Sequence, residues 1–220
     1  MALNQAIGND SEVFVSPEIA EVLGVLIGDG CLSVSHSGRS QVSQVAFTGS
    51  SSEFWYYEEF IQPNLEFTFG VTGRLYLRND NTTRYHIASS RLVVELSQMG
   101  IPIGKKHDAS IPPCVTESGQ IIPFIRGIYH AEGSIYRRYS KRYKEHAKVY
   151  DHLLNIQIRM KLRTLMRQIH EEINKLGVLT NRLTEKAGVY TLRITRQDMV
   201  RRFIDLIEPR YKTAPHQANL

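Results

Sequence analysis

Two short stretches of this 220-residue chain end alike. Val22 to Gly30 reads VLGVLIGDG and Ile125 to Gly133 reads IRGIYHAEG, so Asp29 in the first stands where Glu132 stands in the second. Each acid closes an apolar, helix-forming stretch, where the helix dipole is already negative. Two such ends brought together repel unless something positive lies between them. A hard divalent cation fits, because it takes oxygen ligands. A metal held by two acids beside a basic surface points to phosphodiester hydrolysis. Asp29 and Glu132 are therefore candidate metal ligands and catalytic residues. The carbonyls of Gly28 and Ala131, expected to be unpaired in the last helical turn, could complete the coordination. Gly30 and Gly133 would allow a left-handed turn at each helix end. One Gly-Asp-Gly alone reads as an ordinary exposed helix end; the matched pair is what argues for a metal.

Other residues could assist. Lys161 follows a strand near the metal end of the second half, where it could orient water or steady transition-state charge. The stretch YRRYSKRYKEHAK, residues 136–148, interleaves six basic residues with three tyrosines and suits phosphates and sugars. The eight histidines make no metal-binding spacing, and two cysteines, Cys31 and Cys114, make neither a zinc site nor a disulfide framework. Both read as reduced thiols.

The elements that must position the acids follow from patterning. Ser16 caps a helix that opens at Pro17 and runs to about Gly28. Ala20, Gly24 and Gly28 fall four apart and form a ridge of small residues; Pro123, Gly127 and Ala131 repeat it. Small residues at this spacing let two backbones approach closely, so the two helices are expected to cross and form a seam. Strands are expected at 31–35 and 41–48, then a capping box from Ser50 to Glu53 opening the helix EFWYYEEFI. A hairpin turning at Asp80-Asn81 and a closing helix RLVVELSQM complete the first half. The second half repeats the order: strands at 134–140 and 153–160, the helix LRTLMRQIHEEINKL, a hairpin, a capping box from Thr195 to Asp198, and a last helix. The boundaries are a first repeat over 14–100, a linker over 101–117, a second repeat over 118–208 and a frayed tail over 209–220. The fold class is α+β: two pseudo-symmetric αββαββα-like halves, each with a four-stranded antiparallel sheet.

The outer strand faces carry long polar side chains. In the first half these are Ser33, Ser35, Gln41, Ser43, Arg74, Tyr76, Arg78, Arg84 and His86, with Arg39 at the first turn. In the second they are Tyr136, Arg138, Asn155, Gln157, Arg159, Arg182, Thr184 and Arg193, with Arg137, Lys141, Arg142, Lys144 and Lys186 nearby. A two-stranded ribbon fits the DNA major groove, where each base pair has its own donor and acceptor pattern. One serine on a strand reads as a solvated face; a whole face of Arg, Gln, Asn and Tyr in both halves does not.

Net charge is +5 and uneven. Residues 1–104 hold five basic against eleven acidic side chains; residues 105–220 hold twenty-two against eleven. A polyanion partner follows, with denser phosphate contacts from the second half. No stretch is apolar enough to span a membrane and no secretory signal precedes Val13, so a cytoplasmic protein is expected.

The two motifs, their separation and the helix-strand order resemble the LAGLIDADG homing endonucleases, specifically the single-chain, two-repeat kind, from about Pro17 to Ile207. The family signature ends Ala-Asp-Gly or Gly-Asp-Gly with Glu accepted, and Gly28-Asp29-Gly30 and Ala131-Glu132-Gly133 occupy those places. The resemblance implies a saddle over double-stranded DNA and a monomer. Mg2+ would sit at the two acids, with Mn2+ able to substitute and Ca2+ binding without cleavage. It also implies a double-strand break with short 3′ overhangs in a long asymmetric site. Members are encoded in introns or inteins; the initial Met and the lack of splicing blocks favour an intron-encoded protein. Ile27 and His130 replace the first Asp of the family name, which is not the metal ligand. The family often places a lysine near the end of the second strand of each half. Lys161 fills that place in the second half, and Thr48-Gly49-Ser50-Ser51 has none in the first. The alternatives on the same fold are a maturase that binds intron RNA and a non-catalytic DNA-binding protein.

Overall fold

The computed structural model describes residues 14–37, 40–140 and 148–212. Each half has the same order. The first runs α1 (Pro17–Asp29), β1 (Gly30–Ser37), β2 (Ser40–Ser50), a helical stretch containing α2 (Phe54–Tyr56) and α3 (Gln62–Phe69), β3 (Arg74–Leu77), β4 (Thr82–Ala88) and α4 (Ser90–Gln98). A short α5 (Pro113–Glu117) leads into the second: α6 (Ile121–Glu132), β5 (Gly133–Ser140), β6 (Lys148–Met160), α7 (Arg163–Lys175), β7 (Thr184–Lys186), β8 (Val189–Ile194) and α8 (Gln197–Ile207). Two four-stranded antiparallel sheets result, ordered β1-β2-β4-β3 and β5-β6-β8-β7. The expected α+β architecture is the observed one.

The small-residue ridges form the seam. A methyl group built on Gly24 would collide with the Phe124 carbonyl, and one on Gly127 with the Glu21 carbonyl. One on Gly28 would overlap the Ala131 side chain and reach 3.3 Å from Glu132 Cγ. The two backbones thus touch at the glycines, and α1 and α6 run side by side to their acidic ends. Around them Val22, Leu23, Leu26, Ile27, Phe124, Ile125, Ile128 and Tyr129 are buried in one core shared by both halves. Burial on this scale, about 25 cal/mol per Å2 of apolar surface, holds the acids at a fixed place.

Ser16 caps α1, accepting from the Ile19 amide at 3.2 Å. The Ser50–Glu53 capping box forms, with the Ser50 amide 2.9 Å from Glu53 Oε2. The helix it opens is longer than its sequence pattern: it passes through a π-type turn at Tyr57–Ile61 and continues past Pro63 to Phe69. The capping box expected at Thr195 is absent. Thr195 Oγ1 donates to Asn181 instead, and Asp198 pairs with Arg196 at 2.6 Å. Gln197 supplies the anchor, donating to the Leu154 carbonyl and accepting from its amide.

Gly30 and Gly133 are extended (φ −108° and −90°), not left-handed. Glycine is required there for space: a side chain would strike Leu26 in one copy and Tyr129 in the other. Residues 209–212, expected to fray, are packed into the seam. The expected linker is likewise structured, with Ile101, Ala109 and Ile111 buried.

Candidate active site

Asp29 and Glu132 close the two seam helices and face one electrostatic field. Burial raises the Asp29 carboxyl to about 7, with nearby Glu132 and then Glu53 adding to the rise. Burial also raises Glu132, opposed by Lys106 and Lys212. A carboxyl raised by burial and by a second carboxylate beside it is the environment in which a cation is favoured. Among the described residues no third acid, histidine or cysteine joins them as a metal cluster.

Two lysines that patterning missed lie at the helix ends. Lys106 Nζ donates to the carbonyls of Ile27 (2.6 Å), Gly30 (2.7 Å) and Gly28 (3.0 Å). Lys212 Nζ donates to the His130 carbonyl, which also accepts from Tyr211 at 3.2 Å, and stands 3.6 Å from Glu53. Each ammonium thus satisfies open carbonyls where the dipole is negative. The Gly28 carbonyl, expected to be unpaired, is therefore occupied by Lys106. The charges cross between halves. Lys106 is felt more by Glu132 and Lys212 more by Asp29. The signal lay in the repeat: Ile101 precedes Lys106 by five residues, as Ile207 precedes Lys212.

Lys212 is held in place by a buried network. Glu21, in the middle of α1, is wholly buried. It accepts from Tyr56 OH (2.9 Å), from Arg126 (3.2 Å) and from Arg210 through two nitrogens (2.9 and 3.2 Å). Arg210 also lies 3.8 Å from the Phe60 ring centre. Its amide donates to His130 Nε2 at 3.1 Å, which fixes the neutral tautomer with the proton on Nδ1. Burial and the cations Lys212, Arg210 and Arg126 hold His130 neutral, down to about 2.

A cavity of about 540 Å3 opens beside Glu132, lined by Lys106, Arg159 and Lys161 over Ile27, Met160 and Val189. Lys161 thus lines the same cavity as Glu132.

The sheet registers sort the expected DNA-facing residues. Ser33 pairs with Gln44 and Ser35 with Val42, on the face opposite the buried Leu32, Val45 and Phe47. Arg84, His86, Arg74 and Tyr76 share that outer face. Gln41 and Ser43 do not: they pair with His36 and Val34 on the core side, and Ser43 is buried. The strand alternation was taken one residue out of phase, because β2 is flanked by polar residues on both faces. Gln44 is the outward residue missed, and its Oε1 lies 2.6 Å from His86 Nε2. Arg78, beyond β3, pairs with Asp80 at 3.2 Å.

In the second half Tyr136, Asn155, Gln157, Arg159, Arg193, Thr184 and Lys186 share the outer face, although Asn155 is mostly covered. Arg182 is exposed just before β7. A register shift falls between Arg137 and Arg138; Arg137 pairs on the core-side phase, and Arg138 lies 5.9 Å from the Tyr150 ring. Arg39, Lys141, Arg142 and Lys144 lie outside the described residues. Ser33 Oγ and Arg84 Nε, both shielded from solvent, have no hydrogen-bond partner among the described residues.

Residues 119–208 match the family model of a LAGLIDADG-like domain. No curated protein matches the chain. Among solved structures, mesophilic variants of the homing endonuclease I-DmoI align at a TM-score of 0.61 and 21% identity, over 87% of this chain and 95% of theirs. I-DmoI in complex with DNA and Mn aligns at 0.61 and 22%, over 90% and 97%. The LAGLIDADG meganuclease I-AabMI bound to uncleaved DNA aligns at 0.58 and 13%, over 87% and 83%. These likenesses establish the fold: two LAGLIDADG-type halves in one chain.

Proposed function

We propose that this chain, with the fold of the LAGLIDADG homing endonucleases, is a divalent-cation-dependent, site-specific DNA endonuclease that cuts both strands of one long asymmetric target. The observation that carries the reading is the meeting of Asp29 and Glu132 at the ends of the seam helices, beside a cationic cavity. The residues fit a hard cation. Two carboxylates supply anionic oxygens, and the other positions are left to water and phosphate, the usual arrangement for Mg2+. Structures of I-DmoI with DNA and Mn, and with DNA and Ca, support such a cation. The Gly28 and Ala131 carbonyls are candidate further ligands, Gly28 through the lone pair that Lys106 leaves free. Bound there, a cation would polarise a phosphate oxygen and lower the pKa of a water.

The chain's own groups do the rest. Lys106 and Lys212, anchored on helix-end carbonyls, place fixed positive charge beside the acids, where a phosphate gains negative charge during displacement. Lys161 and Arg159, on the cavity wall, bind and orient a phosphate. The outer sheet faces read base edges. Fidelity comes from the seam: the acids are fixed by backbone contact, so the cut falls at one place relative to the bases read.

The test is a randomised duplex pool incubated with the full chain. We expect one sequence class to be cut, with Mg2+ or Mn2+ and not with EDTA, leaving short 3′ overhangs. Asp29→Asn and Glu132→Gln should stop cutting while binding in Ca2+ persists. Tight binding of a structured RNA, with every duplex left intact, would overturn the reading in favour of a maturase.

A further inference from the structure

Past the Gln44–Ala88 pair, β4 ends, and β1 and β2 continue alone as a two-stranded ribbon. On a sheet with one wet face, apolar residues turn inward and polar ones outward. In this ribbon β2 is inverted. Val42 stands on the outer face, opposite Ser35 and one step beyond the outward Gln44, and it is 43% exposed. Gln41 and Ser43 take the core-side phase, where Gln41 Nε2 donates to Ser43 Oγ at 3.4 Å and Ser43 is buried. The polar pair is thus turned in and satisfied by itself, while the aliphatic side chain is turned out. In water that arrangement gains nothing; it gains when an apolar group covers Val42.

We infer that Val42 reads the C5 methyl of a thymine in the half-site under the first repeat. This deepens the DNA reading of the proposed function and rests on it. A two-stranded ribbon fits the major groove, and on the base edges there the thymine methyl is the one apolar group. Gln44, next to Val42 on the same face, is held by His86, whose Nε2 lies 2.6 Å from its Oε1. Two residues of strand advance by the rise of about two base pairs, so a base edge met by Gln44 brings a neighbouring step against Val42. The distance from the acids follows from the register. Ser35, the partner of Val42, lies six residues past Asp29. That is about 20 Å of strand, or about six base pairs. The matching position in the second repeat, six residues past Glu132, is Arg138. It pairs with Tyr150 and lies 5.9 Å from that ring. A guanidinium and a phenol replace the aliphatic group, so this methyl preference belongs to one half-site.

The experiment uses the full chain in Ca2+, where binding is read without cutting, and the duplex recovered from the randomised pool. Each thymine is replaced in turn by deoxyuridine, which removes the methyl and keeps every hydrogen-bonding group. At one thymine, about six base pairs from the centre of the site, affinity should fall about fourfold, the worth of one buried methyl. Val42→Ala should become indifferent to deoxyuridine at that position and keep the parent's response everywhere else. Val42→Ile keeps the β-branch and an aliphatic surface, and should retain the response. Cytosine at that position should weaken binding by the parent, and 5-methylcytosine should recover about fourfold; with Val42→Ala it should recover nothing. The inference is overturned by a duplex without a methyl-sensitive thymine, by a sensitivity that Val42→Ala leaves unchanged or Val42→Ile abolishes, or by a 5-methylcytosine that recovers nothing in the parent. Each of these leaves site-specific binding standing. Failure to bind any duplex removes the DNA reading, and this inference with it.

Discussion

Asp29→Asn should make the metal-free protein more stable at neutral pH, although it removes one of the two acids on which the proposed cleavage rests. Folding takes the Asp29 carboxyl from an ordinary value of 3.8 to about 7, through burial and the Glu132 and Glu53 charges. The folded chain therefore holds a proton that the unfolded chain releases over this window. Stability is lost as pH rises from about 4 to about 7, and the loss is complete above that. Three units correspond to a ceiling of about 4 kcal/mol. Asp29 is only partly buried, so solvent screens the charge and brings the expected gain to about 2 kcal/mol. For a chain of this length that is about 4–8 °C in midpoint.

The assay is thermal unfolding in EDTA at pH 8 and at pH 4, for the parent and the Asn variant. The variant should melt higher at pH 8, and the difference should shrink towards zero at pH 4. Mg2+ should raise the parent midpoint at pH 8 and leave the variant nearly unmoved, because only the parent offers both carboxylates. A variant no more stable than the parent at pH 8 refutes the convergence of Asp29 with Glu132. So does a difference independent of pH.

Two further outcomes test the parts around the acids. Gly127→Ala places a methyl group against the Glu21 carbonyl and should destabilise by about 3 kcal/mol or more, read in urea unfolding, whereas Gly104→Ser, at an open position, should cost about 1 kcal/mol. Arg210→Met removes two bonds to Glu21 and the contact with Phe60; it should cost about 2 kcal/mol and release Lys212, so that single-turnover cleavage falls at least about tenfold while Ca2+-dependent DNA binding is unchanged. A cleavage rate equal to the parent's would show that Lys212 is positioned without this network.

How much of this was legible from sequence follows from the range of each interaction. The seam was legible because its signal is local and doubled: small residues four apart, then an acid before a glycine, in two places. The strand faces were legible wherever alternation was clean, as in Arg74, Tyr76, Arg84 and His86. They failed at Gln41 and Ser43, where polar residues occupy both phases of β2 and only the register decides. Lys106 and Lys212 were missed for a different reason. Each reaches back about eighty residues to a helix end, and a lysine in a loop carries no local mark of the carbonyls it will meet. Glu21 was invisible in the same way. It sits in an apolar helix, and its four donors come from α2, α6 and the segment after α8.

These long-range contacts explain why the segment after α8 cannot be a passive tail. A buried carboxylate without partners would cost several kcal/mol, and removing one partner leaves the charge stranded. Glu21 belongs to the first half; Arg126 and Arg210, which neutralise it, belong to the second. The first half's seam helix is thus electrostatically incomplete until the second half closes over it and residues 209–212 pack down. Packing that segment also brings Lys212 to the end of α6. The contact that completes the seam and the contact that charges the candidate site are therefore made by neighbouring residues of one segment. A chain whose halves are misaligned would lack both, and Asp29 would keep Lys106 but lose Lys212. Assembly of the seam and the charge at the candidate site are linked by the same three residues, Arg210 to Lys212, rather than by the seam glycines alone.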